Sequence, residues 1–313
     1  MPLEKKPFII FDTDMDTDCD DAGALAILYE YVKRGKAELL GIIADSVSPY
    51  AAACCEALGK FYGVERPVGA VSSSEYLESS RLARYRKHSE RIEKSNGYNR
   101  IIAESIGKRD GDYPSAASVY RRLLANAPDG SVTVVCVGLL TALAQLLQSE
   151  GDEISPLCGR ELMRRKVEKV VSMGEPYAKN INFNWDMDGE GAKVFLTDCP
   201  VPVFVSSYGA EIVTGASLSC RLADNHLLRR IYEIYLQGEG KGRASWDLLA
   251  VLYALEPNTP YLKAVDRGDC RYQESFPHAC WQGAGTRGDR DLVLQKSVEE
   301  TAAYLERLLV ERS

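Results

Sequence analysis

The sequence predicts an α/β protein with a mostly parallel central sheet flanked by helices. Short apolar runs rich in β-branched residues recur along the chain, and such runs are typical of strands buried on both faces. Helical patterns separate these runs, and strands that alternate with helices form parallel sheets through right-handed crossovers. No internal repeat or low-complexity linker interrupts this alternation, so we expect residues 1–313 to form a single domain.

Each predicted element has its own pattern. The strand pattern fits residues 8–11, 39–44, 132–137, 167–172 and 201–206. The first helix covers residues 22–33, where apolar residues recur at helical spacing, and Gly35 closes it. The second starts at Ser48-Pro49, a cap followed by a first-turn proline, and ends at Gly63. Further helices are predicted at residues 115–127, 140–148, 192–196, 227–236, 246–255 and 297–309.

Three regions depart from this alternation. Residues 72–113 are polar and carry no strand signal, so we expect a helical cover or a lid there. Residues 174–189 directly follow a predicted strand, where the active-site loops of such folds lie. Residues 257–291 are rich in turn-forming residues, and we assign no elements to them.

The composition excludes several classes of protein. Hydrophobic residues make up 45% and charged residues 27% of the chain, and no apolar run is long enough to cross a membrane. A net charge of −7 argues against nucleic-acid binding, because no basic field attracts phosphates. The nine cysteines include no C-x-x-C pair, which argues against a disulfide framework or a zinc knuckle. No signal peptide is visible at the start, so a cytoplasmic location is expected.

The most informative segment is an acidic loop between the first strand and the first helix. It contains Asp12, Asp14, Asp16, Asp18, Asp20 and Asp21. Carboxylates this close disfavour one another's ionised form, and a hard divalent cation such as Ca²⁺ or Mg²⁺ relieves the repulsion by taking their oxygens as ligands. Carboxyl ends of parallel strands are also where α/β sheets bind ligands. The alternative is a solvated acidic loop without a ligand.

Other types of ligand-binding loop can be tested against the same residues. An EF-hand needs Gly at its sixth position and Glu at its twelfth, where this loop has Thr17 and Gly23. A phosphate-cradling loop needs glycines and a Lys, which the segment lacks. A phosphatase of the haloacid dehalogenase type also begins with a strand and Asp-x-Asp, and it would use Asp12 as nucleophile with Mg²⁺. It stays open as an alternative, although Asp16 stands where that class has Thr or Val.

Four segments in order resemble motifs of the nucleoside hydrolases, which split the N-glycosidic bond of ribonucleosides. The acidic loop is similar to the N-terminal signature of that family. The later matches are Gly138-Leu139-Leu140-Thr141-Ala142-Leu143-Ala144, then Met173-Gly174 with Asn182-Phe183-Asn184, and finally Ser245-Trp246-Asp247. Together they cover roughly residues 8–255, and they imply a Rossmann-like nucleoside hydrolase fold.

The resemblance implies a Ca²⁺-dependent N-glycosyl hydrolase acting on a nucleoside or a related N-riboside, as a homodimer or homotetramer. It implies that Asp14, Asp21 and Asp247 hold the metal with the backbone carbonyl of Thr141. Asp14 would take a proton from the metal-bound water. Residues implied to bind the substrate are Asp20, Asn182, Asn184, Trp246 and Asp247.

The chain departs from the family pattern at several positions. Trp246 replaces the histidine that protonates the leaving base in most members, so it is expected to stack on the base or to be a core residue. Tyr177 is a second aromatic candidate for stacking. Asn182 stands where the family commonly has Glu, and Asp45 replaces an Asn-bearing strand end, so no ligand role is transferred to Asp45.

Two further interpretations concern residues without a family role. Asp16 and Asp18 are either extra charge in the outer shell of the metal site or solvated, and we interpret them as solvated. The histidines, His88, His226 and His278, belong to no recognisable motif and are expected to be surface or core residues. A catalytically weak protein that binds Ca²⁺ and ribose remains an alternative function.

Overall fold

The computed structural model describes residues 6–71, 82–174, 176, 183–274 and 279–311. Tyr177, Asn182 and His278 lie outside the described residues. The strands β1 to β12, in chain order, are Phe8–Thr13, Glu38–Ala44, Val68–Ala70, Val132–Cys136, Val167–Met173, Val203–Ser206, Val213–Thr214, Arg243–Ala244, Leu262–Val265, Asp269–Tyr272, Ala279–Gln282 and Arg290–Leu294.

Eight of these strands form one central sheet in the order β3-β2-β1-β4-β5-β6-β12-β9. Only β9 runs antiparallel to its neighbour, and all other pairs in this sheet are parallel. The strands β7 and β8 form a small antiparallel pair, and so do β10 and β11. The prediction of a mostly parallel sheet flanked by helices is therefore confirmed.

The helices include every predicted one, in the predicted order and with ends that differ by a few residues, and also three that were not predicted, Gly159–Lys166, Phe183–Met187 and Leu218–Arg221. Their bounds are Asp20–Lys33, Ala51–Tyr62, Ala83–Asn96, Tyr98–Glu104, Ala116–Asn126, Thr141–Gln148, Gly159–Lys166, Phe183–Met187, Gly189–Asp198, Leu218–Arg221, Leu227–Leu236, Trp246–Leu255 and Val298–Val310. The described part of the expected cover, residues 82–113, is largely helical. No helix in the described part of the chain has the length and apolar character needed to cross a membrane.

Some strand boundaries differ from the predicted ones for identifiable reasons. The strand β1 continues through the polar residues Asp12 and Thr13, because both still pair with neighbouring strands of the sheet. The strand β6 begins at Val203 instead of residue 201, because Pro202 has no backbone N–H to donate. The strands β3, β7, β8, β9, β10, β11 and β12 were not predicted, because they are short and several of them lie in the turn-rich region.

The sheet separates two apolar cores. Ile9 and Phe11 of β1 point into one core, and Ile10 between them points into the other. Helices such as Asp20–Lys33 and Trp246–Leu255 cover the first face, whereas Ala116–Asn126 and others cover the second. Because helices cover both faces of the sheet, the central strands are continuous apolar runs in the sequence.

The strand order reverses direction at β1. From β1 the chain first builds β2 and β3 on one side, and it then crosses over to β4 on the other side. Such a reversal opens a crevice at the carboxyl ends of the two central strands. Gly138 follows β4 here, and a Cβ atom on it would lie 2.5 Å from the backbone nitrogen of Asp14, so the two loops touch. The crevice is therefore bordered by the acidic loop.

Candidate functional site

A cavity of about 410 Å³ is lined by residues that follow the carboxyl ends of the central strands. This volume lies within the range of small-molecule sites, roughly 300–1,000 Å³. Predicted site residues that line it are Asp14, Asp20, Asp21, Asn184, Trp246 and Asp247. Further polar and aromatic residues that line it are Thr17, Asp18, His88, Arg91, Tyr235 and Arg243.

Three buried carboxylates meet at this cavity. Asp20, Asp21 and Asp247 each offer one oxygen, and these oxygens lie within 4.8 Å of one another. All three residues lie in first turns of helices, where the helix dipole favours negative charge. The backbone N–H of Asp247 also donates to Oδ2 of Asp20 at 3.1 Å, which ties the two helix starts together. Burial raises the pKa of each carboxyl group well above its ordinary value, and repulsion by neighbouring aspartates raises it further.

Asp14 lines the same cavity beside this cluster. Its Oδ2 accepts a hydrogen bond from the Tyr85 hydroxyl at 2.9 Å and one from the Thr17 hydroxyl at 3.0 Å. Burial raises the pKa of Asp14 to about 6, and the two hydroxyl donors oppose this rise. A pKa slightly below neutral pH suits a general base, because the group is ionised yet still basic.

Thr141 does not line the cavity. It is fully buried, and its hydroxyl donates to Oδ2 of Asp188 at 2.6 Å. Val137, which directly precedes this motif at the end of β4, lines the cavity, and its carbonyl accepts a hydrogen bond from the Asn184 amide at 2.6 Å. The metal-binding role implied for the backbone carbonyl of Thr141 stays a prediction.

Both extra aspartates of the loop have partners, so the interpretation that they are solvated is wrong. Asp16 is 1% exposed and accepts hydrogen bonds from Ser46 at 3.1 Å and Asn99 at 3.2 Å. Burial raises the pKa of Asp16 to about 7. Asp18 accepts hydrogen bonds from Nε of Arg243 at 2.8 and 2.9 Å. The loop folds under neighbouring elements, and sequence patterns did not indicate this.

Two other acidic residues turn away from the cavity. Asp12 is fully buried and accepts a hydrogen bond from the Tyr120 hydroxyl at 2.5 Å, so it offers no exposed nucleophile for the phosphatase alternative. Asp45 is also fully buried and accepts from the backbone N–H of Ala142 at 2.8 Å. Neither residue lines the cavity.

His88 is partly exposed and lies in the cavity lining, a position that the sequence did not indicate. It lines the cavity together with Arg91, three residues later on the helix Ala83–Asn96. Nη2 of Arg91 lies 3.1 Å from Nδ1 of His88. Because a guanidinium only donates, Nδ1 must accept, which leaves the imidazole neutral. Burial and the charge of Arg91 lower the pKa of His88, in agreement with this.

Aromatic and basic side chains form the wall near Trp246, which is half-buried. The Arg243 guanidinium lies 5.2 Å from the ring centroid of Trp246 and 5.7 Å from that of Tyr235. His226 instead contacts Phe61, outside the cavity lining. One feature of the sequence indicated this wall: Tyr85, His88 and Ile92 have the spacing of residues on one face of a helix.

Comparisons with known proteins add independent findings. The family model described as inosine-uridine preferring nucleoside hydrolase matches residues 9–300. Comparison with curated protein sequences gives no match.

Several solved structures share the fold. An inosine-uridine preferring nucleoside hydrolase from Bacillus anthracis has a TM-score of 0.64 and 15% identity over 97% of this chain and 99% of that chain. A purine-preferring ribonucleoside hydrolase from Gardnerella vaginalis has a TM-score of 0.65 and 15% identity, with coverages of 96% and 98%. The type III effector protein XopQ, complexed with adenosine diphosphate ribose, has a TM-score of 0.70 and 12% identity, with coverages of 98% and 94%.

The match over residues 9–300 spans both halves of the site, from the acidic loop to Asp247. The chain therefore belongs to the inosine-uridine preferring nucleoside hydrolase family.

Proposed function

We propose that this protein hydrolyses the N-glycosidic bond of a ribonucleoside or a related N-riboside and releases the free base and ribose. One observation carries the proposal: Asp14 and the carboxylates of Asp20, Asp21 and Asp247 line a single cavity of small-molecule size, with Trp246 in its wall. Family membership supports the same reaction class.

The residues of the cluster fit a hard divalent cation, which we propose is Ca²⁺. Three buried carboxylate oxygens within 4.8 Å of one another suit one ion, because Ca²⁺ prefers oxygen ligands and balances their charge. Asp20, Asp21 and Asp247 would hold it, with Asp14 beside them. Bound there, the ion supplies Lewis acidity that makes water a better nucleophile at neutral pH.

The side chains of the cavity perform the remaining steps. Asp14 accepts a proton from the attacking water, whose oxygen forms a bond to the anomeric carbon. The bond from that carbon to the base nitrogen breaks, its electron pair leaves with the base, and solvent protonates the base. Neighbouring carboxylates stabilise the oxocarbenium-like transition state. Asn184 and Asp20 bind ribose hydroxyls, and Trp246 offers a face on which the base stacks.

A nucleoside panel tests this proposal directly. We expect release of base and ribose with calcium present, and loss of release with a chelator. Asp14→Asn should lower kcat by about a hundredfold or more, in the range of a lost general base, while the fold is kept. Asp12→Asn is the matched control, because Asp12 is buried outside the cavity lining.

Each competing function gives a different result. A phosphatase would form a phospho-enzyme and lose its activity in Asp12→Asn instead. A weak Ca²⁺- and ribose-binding protein would bind ribose in calorimetry and release base from no nucleoside. Assembly as a homodimer or homotetramer, implied by the family, is checked by light scattering in solution.

A further inference from the structure

We propose that the substrate carries a phosphate group, so that the cavity takes a nucleotide-type N-riboside, and that Arg91 and Arg243 bind this phosphate. The inference rests on the proposed function, because it concerns the same cavity. Both arginines line the cavity, yet the hydrolysis of an uncharged nucleoside gives neither of them a role.

Arg91 has no acidic partner among the described residues. In the described part of the chain no carboxylate lies within ion-pair distance of its guanidinium. Its side-chain partner is the neutral imidazole of His88, at 3.1 Å from Nη2. This contact orients the guanidinium, and a neutral imidazole does not compensate its charge. A guanidinium carries five N–H donors, so most of those on Arg91 are available to a ligand.

Arg243 is fixed on one side and available on the other. Asp18 holds its Nε and Nη2, with distances of 2.5 to 2.9 Å. Among the described residues no hydrogen bond involves its Nη1. The guanidinium plane lies near the rings of Tyr235 and Trp246, and such packing further restricts its orientation. A guanidinium held this way presents preformed donors to an anion.

The two arginines belong to one wall of the cavity. The helix Ala83–Asn96, which carries Arg91, is tied to Tyr235 through a hydrogen bond of 2.8 Å from Asn96 to the Tyr235 carbonyl. Ile92 and Tyr235 both line the cavity, and the Tyr235 ring lies beside Arg243. Arg91 lies on this helix, and Arg243 lies beside Tyr235 of the helix Leu227–Leu236. The two arginines are therefore on the same wall of the cavity.

Charge separation within the cavity determines where a phosphate fits. The cluster of Asp20, Asp21 and Asp247 repels an anion, so the phosphate must lie at the wall where Arg91 and Arg243 together exceed the charge of Asp18, while the ribose reaches the cluster. A guanidinium can donate two parallel hydrogen bonds to two oxygens of one phosphate group. Water and sugar hydroxyls do not need such a paired donor. A 5′-monophosphate and a longer 5′-diphosphate both offer this chemistry, and the experiment distinguishes them.

The kinetic experiment compares a nucleoside with its 5′-monophosphate and its 5′-diphosphate. We expect kcat/KM to be at least tenfold higher for one of the phosphorylated forms, and the better form identifies the position of the phosphate. Arg91→Gln should reduce this preference tenfold or more. Arg84→Gln is the matched control, because Arg84 is exposed on the same helix and does not line the cavity. It should change the preference less than twofold.

A binding measurement keeps this inference separate from the proposed function. Calorimetry with ribose 5-phosphate and with ribose, in calcium, needs no turnover. Tighter binding of ribose 5-phosphate that Arg91→Gln weakens tenfold supports the phosphate site, even if no substrate is cleaved. Equal affinity for the two sugars, or nucleoside cleavage with no preference for phosphate, overturns the inference and leaves hydrolysis of nucleosides standing.

Discussion

The carboxylate of Asp14 is held by two hydroxyl groups that bind the same oxygen. Tyr85 and Thr17 both donate to Oδ2, so the lone pairs of this oxygen are already used in hydrogen bonds. Oδ1 is the oxygen that can accept a proton from a reacting water. Tyr85 lies on the helix Ala83–Asn96, far from Asp14 in sequence. In the proposed reaction it is a positioning residue, because it would act on the substrate only through Asp14.

Removing the Tyr85 hydroxyl tests this role. Tyr85→Phe deletes a hydrogen bond to a carboxylate, worth about 1.5–3 kcal/mol. We expect kcat to fall about tenfold or more while KM changes little, because the ribose contacts remain. Tyr120→Phe is the control, since it removes an equivalent hydrogen bond to Asp12 outside the cavity lining. Equal losses of kcat in both variants, measured by steady-state kinetics, would show only a stability effect.

At the residue level, motifs singled out Asp21 and Asp247 as metal ligands and Asp20 as a substrate-binding residue. The structure brings oxygens of all three together, with Asp20 instead of Asp14 as the third member, and their roles stay predictions. The partners of Asp16 and Asp18 depend on elements distant in sequence, which no local pattern reveals. His88 and Arg91 stand in a polar helix that matches no motif, so only the fold reveals that they line the cavity.

At the scale of elements, the site depends on how closely the ends of β1 and β4 approach each other. Gly138 allows this approach, because a Cβ atom there would lie 2.5 Å from the backbone nitrogen of Asp14 and 2.7 Å from the carbonyl carbon of Thr13. Both of those atoms belong to the backbone, which cannot move aside as a side chain does. The position of Asp14, the proposed general base, is therefore set by a glycine in the loop that follows β4.

Gly138→Ala should separate the two strand ends. We expect a large loss of activity together with a destabilisation of about 1–3 kcal/mol, the usual cost of overpacking a closely packed interior. Kinetics and urea unfolding measure the two effects. Gly189→Ala is the control, because a Cβ atom there meets nothing within 4 Å. A Gly138→Ala protein with the activity of the control would disprove the importance of this contact.

The helix Ala83–Asn96 illustrates what periodicity predicts and what it does not. The polar composition indicated a helical cover, and the described part of that region is largely helical. Its buried positions are Tyr85, Ser89 and Ile92, which have helical spacing but mixed polarity. An apolar-stripe criterion misses such a face, because the helix covers a polar loop instead of an apolar core.

For the whole molecule, the presence of the central strands in a mostly parallel sheet followed from alternation, whereas their order and the strands β12 and β9 did not. The strands β1, β2, β4, β5 and β6 were predicted because apolar, β-branched segments are buried on both faces. The strands β12 and β9 complete the sheet but carry charged residues, such as Arg290 and Lys263. Edge strands are half-solvated, so composition distinguishes them poorly from turns.

The buried carboxylates also couple the stability of the whole molecule to a cation. Burial and mutual repulsion raise the pKa of Asp20, Asp21 and Asp247, so without a cation the folded state binds protons more tightly than the unfolded state. Stability from these groups is therefore greatest in acid and falls as the pH rises above their ordinary pKa of about 4. A divalent cation takes the place of the protons and opposes this loss.

We expect calcium to raise Tm in thermal unfolding, by about 5 °C at a hundredfold excess over Kd, and more at pH 8 than at pH 5. Asp247→Asn should remove most of this increase. The same variant should equal or exceed the wild-type Tm in chelator, because one of three repelling charges is gone. Asp45→Asn, a buried control outside the cavity lining, should keep the calcium response. If Asp247→Asn kept the full calcium response, the three-carboxylate cluster would not be the cation site.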